Sequence, residues 1–384
     1  MTWTPQWVDA ELADRRAAGL LRCPPVARSL PGGRVKVDGR TLLDFAGNDY
    51  LGLSHHPEVV AAARSAESVG SGASALVRRS DAQDELERTL AEFEAAEAAL
   101  VFPTGYAANA GTVAALVGEG DAVFCDRENH SCIVDGCRLS RARFRVYRRA
   151  DLDRLARDLS DHADAPRRLI ATDGVFSMDG TAAPLADLHD LCRRFDATLL
   201  VDEAHATGVL GRTGRGSCEA AGLPEDRVVR TGTLSKAVGC QGGFATGSAA
   251  LIEYLRNAAR TQMFSTALAT PVASAAAAAV RLIASGAVRW DEGLVEPLRE
   301  AAARHNRGRW PDSRGPIVPI RGGKSLGVFT VLKWSRELRE AGFLVPAIRY
   351  PTVPRGTPRL RVSVSAAHSE ADVELLAEAV RALK

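Results

Sequence analysis

Three side chains could support amine chemistry where two apolar stretches of the sequence end. Lys236 lies among glycines and small residues in "GTLSKAVGCQGG", and Asp202 and His205 lie in "VDEAHATG". A lysine forms a Schiff base with an aldehyde where its amine is partly deprotonated and shielded. Asp202 could keep a heteroaromatic nitrogen protonated, and His205 could reach a ring substituent. The alternatives stay open: a helix N-cap for Asp202, and a basic residue in a glycine-rich turn for Lys236.

A second group of residues could bind a phosphate. Thr104, Gly105 and Tyr106 stand directly before a helical run, and a helix N-terminus beside a glycine is a ready anion site. Thr233 and Ser235 add hydroxyls in the loop that contains the lysine. An ordinary loop that enters a helix is the alternative for the first of these segments.

Pyridoxal 5′-phosphate (PLP) would account for both groups at once. Its pyridine nitrogen would pair with Asp202, its aldehyde would bond to Lys236, and its phosphate would bind the hydroxyls and the helix N-terminus. His130, in "DRENHSC", could stack on the ring, although a lone histidine is more often structural. The pattern therefore predicts PLP, whose ring takes up the electrons of a carbanion, as the cofactor held by Lys236.

A parallel sheet would bring these residues together. The stretches "RRLIAT", "TLLVDEAH" and "RVVRTG" are typical of buried strands, and "PLADLHDLCRRFDA" is typical of an amphipathic helix. Apolar strands that alternate with such helices predict an α/β fold with helices on both faces of the sheet. Ligands of these sheets bind at the carboxyl ends of the strands. Asp173, Asp202 and the loop 233–236 all follow such ends.

The segments outside this core are predicted to form smaller units. A first helix is expected with Thr4 as N-cap and Pro5 as its first residue, and a small β element is expected over 29–54. A long helix is expected over 270–287, and "GVFTVLKW" and "PRLRVSVSAAH" are expected to be antiparallel strands. The predicted domains are 1–45 (N-terminal helix and small β segment), 46–287 (large PLP-binding α/β domain) and 288–384 (C-terminal α+β domain).

The composition argues against several classes of protein. The chain has 384 residues, of which 46% are hydrophobic and 25% charged, as in soluble globular proteins. A net charge of +2 with scattered arginines gives no footprint for nucleic acid. No apolar run is long enough for a membrane span, and no signal peptide is expected. The seven cysteines lack metal-site spacing, which favours reduced, buried thiols in a cytoplasmic protein.

Motifs spread over most of the chain resemble those of the α-oxoamine synthases. They are "FAGNDYLGLSHHP", "NHSCIVDGCRLS", "TDGVFSMDGTAAPL", "VDEAHATGVLGRTGRG", "TGTLSKAVGCQGG", "FSTALATP" and "IRYPTVPRGTPRLRVSVSAAH", in the order of that family. The resemblance implies the PLP-dependent transferase fold type I, as in aspartate aminotransferase. That fold has a mostly parallel central sheet and a smaller C-terminal α+β domain. The resemblance also implies a homodimer with active sites at the subunit interface.

The resemblance assigns roles to single positions. The implied catalytic residues are Lys236, which carries the cofactor, Asp202 at the pyridine nitrogen, His205 near the ring hydroxyl and His130 stacked on the ring. The further implied cofactor contacts are Ser177, Thr233 and Thr266, the last one from the neighbouring subunit. The implied substrate contacts are Asn48 and Arg361 for the amino-acid carboxylate, Arg22 for the acyl substrate, and Thr352. Arg361 suits its role because a guanidinium binds a carboxylate through two parallel hydrogen bonds.

One segment, 70–87, departs from the family pattern. Ala73 replaces a glycine, Arg78 and Arg79 occupy the region of a second glycine, and Asp84 falls near the place of a histidine. In the family this region lies close to the acyl chain, so the departure bears on acyl specificity.

The resemblance implies a PLP-dependent acyltransferase, and the branch that serves biotin biosynthesis matches most closely. The implied reaction is the decarboxylative condensation of L-alanine with pimeloyl-CoA or a pimeloyl carrier protein. A sister reaction with glycine or serine and another acyl thioester, as in 5-aminolevulinate synthesis or secondary metabolism, is the alternative. A non-catalytic subunit of the same fold is less expected, because Lys236 and Asp202 are both present.

Overall fold

The structure is a computed structural model that describes residues 3–306, 313–321 and 327–384. The helices are α1 Trp7–Ala17, α2 Pro57–Arg64, α3 Asp81–Glu94, α4 Gly105–Leu116, α5 Ser131–Leu139, α6 Leu152–Asp161, α7 Leu185–Arg194, α8 Ser217–Ala220, α9 Ala249–Ala258, α10 Arg260–Met263, α11 Thr270–Ser285, α12 Glu296–His305, α13 Val328–Glu340 and α14 Glu370–Ala382. The strands are β1 Ala27–Leu30, β2 Arg34–Val37, β3 Arg40–Asp44, β4 Ala98–Phe102, β5 Ala122–Asp126, β6 Arg143–Tyr147, β7 Arg168–Asp173, β8 Thr198–Asp202, β9 Val228–Thr233, β10 Gly243–Gly247, β11 Ile317–Ile320, β12 Phe343–Leu344, β13 Ala347–Ile348 and β14 Arg359–Ser363. Within these described ranges, no helix is both long and apolar enough to cross a membrane.

The chain divides into two compact units. The described residues of the first unit lie within Met1–Gly47, Glu292–Pro311 and Pro316–Lys384, and those of the second lie within Asn48–Asp291 and Asp312–Gly315. The first unit thus combines the N-terminal segment with the C-terminal residues, which the sequence treats as separate segments. The domain borders at 46 and 288 stay a prediction.

The second unit is built on a mostly parallel sheet. Its strand order is β4-β10-β9-β8-β7-β5-β6. Strand β10 runs antiparallel to both of its neighbours, whereas the pairs from β9 to β6 are parallel. The α/β fold with a mostly parallel sheet that the sequence predicts is confirmed.

Helices cover both faces of this sheet. Successive residues of a strand point to opposite faces. In β7, Ile170 packs into a core cluster with Leu188 of α7, while its neighbour Leu169 packs with Ile133 of α5 on the other side. Strands buried on both faces must be apolar throughout, which explains the continuous apolar runs in the sequence.

The carboxyl ends of the parallel strands place polar side chains side by side. Asp173, the last residue of β7, is in register with Asp202, the last residue of β8. Asp202 is in turn in register with Thr231 of β9. The prediction that these strand ends meet at one edge of the sheet is confirmed.

The first unit contains two small sheets, with strand orders β1-β2-β3-β12 and β11-β14-β13. In the second of these, β14 is antiparallel to both neighbours, so the strand expected in "PRLRVSVSAAH" is confirmed. The strand expected in "GVFTVLKW" is wrong, because this segment begins helix α13. Val331, Trp334 and Leu338 are its buried positions, at spacings of three and four residues. An eight-residue window was too short to show that helical period.

The first helix begins later than the sequence suggests. Gln6 is the N-cap of α1, and no side-chain hydrogen bond caps the helix. Thr4 and Pro5 therefore precede the helix, and the Pro5 carbonyl accepts a hydrogen bond from the Val8 backbone N–H at 3.0 Å. The long helix expected over 270–287 is confirmed as α11 and ends two residues earlier, before Gly286, which has a φ of +76°.

Candidate active site

Lys236 lies in the loop after β9, and its amine contacts a histidine. Nζ of Lys236 is 2.8 Å from Nε2 of His205, and Nδ1 of His205 is 2.7 Å from the hydroxyl of Tyr50. The Tyr50 hydroxyl also donates to Oδ1 of Asn48 at 3.1 Å. Tyr50 and His205 are both buried. Because each link is a hydrogen bond, the position of a proton on the amine is coupled to the tautomer of His205.

Asp202 is a buried carboxylate held by two donors. The side-chain amide of Asn109 donates to Oδ2 at 2.9 Å, and the backbone N–H of Ala204 donates to Oδ1 at 3.0 Å. Asn109 is held in turn by the Thr231 hydroxyl at 2.7 Å. Burial raises the pKa of Asp202, while the nearby Lys236 charge and these donors act to lower it. A cationic group facing this carboxylate would stabilise its ionised form.

His130 forms the N-cap of α5. Its Nδ1 accepts a hydrogen bond from the backbone N–H of Cys132 at 3.3 Å, and its own backbone N–H donates to Asp173 at 3.0 Å. Burial lowers the pKa of His130, and the charge of Lys236 adds to this effect. The ring is therefore held neutral in a fixed orientation close to Lys236 and Asp202.

The start of helix α4 and the β9 loop form a cradle for an anion. Thr104 caps α4 by accepting a hydrogen bond from the Ala107 N–H at 3.0 Å. At Gly105, an added Cβ would lie only 2.9 Å from the side chain of Thr233, so any larger residue would force Thr233 or the helix start to shift. The Thr233 and Ser235 hydroxyls are 2.8 Å apart. Hydroxyls and a helix N-terminus therefore converge, as a phosphate group requires.

The remaining predicted cofactor contacts of this unit lie in three different places. Tyr106 is 47% exposed and donates a hydrogen bond to Asp135, which raises the pKa of Tyr106 to about 12. Ser177 lies partly buried in the turn after β7. Thr266 is exposed and forms an isolated antiparallel bridge with Ser74.

Three predicted substrate contacts belong to the first unit. Arg22 donates to the Thr352 hydroxyl at 3.3 Å and to the Tyr350 carbonyl at 3.2 Å, so Arg22 and Thr352 lie together. Arg361 lies on β14, is 5% exposed, and donates to the Ser363 hydroxyl at 2.7 Å.

Two residues of the site were not selected from the sequence. Tyr50 links His205 to Asn48, and Asn109 holds Asp202. Asn109 left a signal, since it is a lone amide within the small, mostly apolar residues of α4, four positions after Gly105. A polar side chain buried in such a helix needs a hydrogen-bond partner.

The atypical segment 70–87 makes its own internal contacts. Arg79 forms ion pairs with Glu87 at 2.6 Å and with Asp84 at 3.0 Å. Arg78 donates to the Ser71 carbonyl at 2.8 Å. The charges that depart from the family pattern thus bind one another and the nearby backbone within the second unit.

These groups fit PLP. The buried Asp202 carboxylate suits a pyridinium nitrogen, Lys236 supplies the amine for the aldehyde, and the cradle at Gly105 suits the phosphate. The residues match PLP in their chemical type. They also leave space for it, because a side chain at Gly105 would fill that cradle.

Comparison with known proteins agrees with this geometry. The sequence pattern of the family "Aminotransferase class I and II" matches residues 40–380. The chain belongs to this family. It is 45% identical to the 8-amino-7-oxononanoate synthase of Thioalkalivibrio sulfidiphilus (strain HL-EbGR7) over 96% of this chain and 95% of that one. It is 48% identical to the 8-amino-7-oxononanoate synthase of Azoarcus sp. (strain BH72) over 96% of this chain and 93% of that one.

A solved member of the same fold contains the cofactor. It is a serine palmitoyltransferase from S. paucimobilis with a bound PLP–myriocin aldimine, 27% identical to this chain, with a TM-score of 0.86. The match covers 98% of this chain and 96% of that one. The predicted family resemblance and the PLP-dependent transferase fold type I are confirmed, and PLP is the cofactor of this aminotransferase-family chain.

Proposed function

We propose that this chain condenses L-alanine with a pimeloyl thioester to give 8-amino-7-oxononanoate. The thioester loses its thiol, either CoA or a carrier protein, and the alanine carboxyl group leaves as CO₂. The observation that carries the proposal is the contact of Lys236 with His205 beside the buried Asp202, in a chain 45% and 48% identical to full-length synthases of this name. As an acyltransferase of this kind, the enzyme would serve biotin biosynthesis.

Lys236 acts as the general base in this proposal. When bound, PLP withdraws electrons from the Cα of the amino acid. The Lys236 amine removes the Cα proton of the bound amino acid. His205, 2.8 Å from that amine, holds or returns a proton at Nζ.

The other site residues bind and orient the cofactor. Asp202 would keep the pyridine nitrogen protonated, and the neutral ring of His130 would pack on the cofactor ring. Thr104, Gly105, Tyr106, Thr233 and Ser235 surround the phosphate end, together with Ser177, and Thr266 contributes from a second subunit.

Four residues are assigned to substrate binding. Asn48 and Arg361 bind the carboxylate of L-alanine, because a guanidinium and an amide pair with it directionally. Arg22 and Thr352, which share a hydrogen bond at 3.3 Å, bind the acyl substrate. A homodimer with shared active sites and a cytoplasmic location complete the proposal. The cytoplasm suits seven cysteines without a disulfide framework.

A matrix of substrate pairs tests the function. Thiol release from the PLP-loaded enzyme is measured with L-alanine, glycine and L-serine, each against pimeloyl-, succinyl-, acetyl- and palmitoyl-CoA, and with a pimeloyl carrier protein. The expected result is thiol release with L-alanine and a pimeloyl donor, accompanied by equimolar CO₂ and 8-amino-7-oxononanoate.

Two results would contradict the proposal. Turnover confined to another pair, such as L-serine with palmitoyl-CoA, would retain the acyltransferase chemistry and replace the substrates. No thiol release with any pair, while PLP is bound to Lys236, would favour a non-catalytic role.

A further inference from the structure

The backbone N–H and the thiol of Cys132 both contact Nδ1 of His130. The Cys132 backbone N–H donates to Nδ1 at 3.3 Å, and the Cys132 Sγ lies 2.9 Å from that nitrogen. A backbone N–H can only donate, so an Nδ1 without a proton satisfies this contact, but at 3.3 Å the bond is long and holds the tautomer only weakly. The thiol is then the donor of the shorter contact.

The thiol of Cys132 keeps a proton that it can donate. Cys132 is 2% exposed, and burial raises the pKa of its thiol above the usual range. The carboxylates of Asp202 and Asp173 raise this pKa further. The sulfur therefore keeps its proton.

We propose that Cys132 is a positioning residue that fixes His130 as the Nε2–H tautomer. A neutral imidazole has one N–H, so an Nδ1 that accepts from the thiol leaves the proton on Nε2. The thiol and the backbone N–H together also fix the rotation of the ring. His130 thus presents a constant face and a single N–H to the ligands of the site.

Packing is the alternative account of Cys132. Its side chain belongs to a core cluster with Val113 and Ile133. Cys137, on the same helix, is equally buried in that cluster. Cys137→Ala therefore reports the cost of losing a buried thiol from α5, and serves as the matched control.

The test reads the tautomer directly. Holoenzyme is labelled with ¹⁵N in its histidine rings, and His130 is assigned from the signals lost in His130→Asn. We expect one Nε2–H tautomer in the native enzyme and in Cys132→Ser, which keeps a donor, and mixed tautomers in Cys132→Ala. The rate of Cα proton exchange of L-alanine should fall about fivefold in Cys132→Ala, the typical effect of one hydrogen bond, and recover in Cys132→Ser.

The outcomes separate positioning from packing. A single Nε2–H tautomer in Cys132→Ala, with exchange no slower than in Cys137→Ala, would overturn the proposal. So would mixed tautomers in Cys132→Ser, because the donor would then be irrelevant. The inference takes only the amino-acid substrate, L-alanine, from the proposed function. Neither the tautomer measurement nor the exchange measurement needs an acyl thioester. A wrong acyl substrate would therefore leave both results unchanged.

Discussion

Lys236 is one end of a hydrogen-bonded chain of buried side chains. His205 contacts both the amine and Tyr50, and Tyr50 reaches Asn48. A lysine amine in water holds its proton near neutral pH, so a base at Cα needs a partner that can take or return it. His205 is such a partner, because its Nε2 lies 2.8 Å from Nζ of Lys236.

Replacing Lys236 tests the role of the amine. Lys236→Ala should lose the visible absorption of the lysine-bound cofactor and lower kcat by about 10²- to 10⁴-fold, because a positioned base is removed. Lys333→Ala removes an exposed lysine that pairs with Glu337, and should leave both absorption and kcat as they are. Full turnover by Lys236→Ala would contradict the assignment of Lys236 as the residue that carries the cofactor and acts as the base.

The predicted phosphate cradle depends on how closely β10, β9 and the start of α4 approach one another. Strand β10 begins at Gly243, where an added Cβ would lie 2.5 Å from the Thr104 carbonyl oxygen and 2.6 Å from Cα of Gly105. Both atoms belong to the backbone at the start of α4, which cannot rotate away. The antiparallel insertion of β10 beside β4 and β9 thus positions the helix N-terminus.

A methyl group at Gly243 should push α4 away from the cradle. Gly243→Ala is expected to cost about 1 to 3 kcal/mol of stability through overpacking and to weaken PLP binding about tenfold. Both effects can be measured by thermal unfolding and by titration of the apoenzyme with PLP.

A change on the same strand provides the comparison. At Gly247, an added Cβ would meet only the end of the Leu251 side chain, at 2.7 Å, which can move. Gly247→Ala should therefore bind PLP as the native chain does. Equal PLP affinity for the two variants would contradict the proposed role of the close approach.

The second unit contains a buried carboxyl group, Glu94, that makes its stability depend on pH. Glu94 ends α3 and is fully buried, and its carboxylate has no hydrogen-bond partner among the described residues. Burial raises the pKa of Glu94 from 4.5 to about 8, although the Arg230 guanidinium, 3.8 Å away, acts in the opposite direction. Desolvation prevails because the ion pair is long and lacks a hydrogen bond.

The contribution of Glu94 to stability should therefore fall as pH rises. The folded chain retains the Glu94 proton up to about pH 8, whereas the unfolded chain releases it near pH 4.5. The stabilisation from this proton is full below the lower value and is lost as pH rises through the upper one. Glu94→Gln carries no such proton. As pH rises from 5 to 8, the melting temperature of this variant should therefore increase relative to that of the native chain, by on the order of 5 °C.

An exposed carboxylate of the same helix provides the control for this prediction. Glu92→Gln should leave the pH dependence of the melting temperature as it is in the native chain. Parallel curves for the native chain and Glu94→Gln would show that Glu94 is ionised in the fold.

The cofactor and the central sheet can both be predicted from the sequence alone. Asp173, Asp202 and Thr233 end apolar strands, and strand ends are encoded by local alternation of apolar runs and polar residues. Their meeting at one edge follows from parallel pairing, which the helices between the strands also indicate. Lys236, Asp202, His130 and the phosphate-binding candidates Gly105, Tyr106 and Thr233 together predict PLP, although none of them does so alone.

The side chains that hold Lys236 and Asp202 in place can be identified only from the tertiary structure. Tyr50 reaches His205 across 155 residues of sequence, and Asn109 reaches Asp202 across 93. No local pattern encodes such a contact, because it depends on how helices and loops pack over the sheet. The segment that begins at Val328 was mispredicted for a similar reason. Its buried positions extend to Leu338, and their helical spacing becomes visible only when the packing of the whole segment is known.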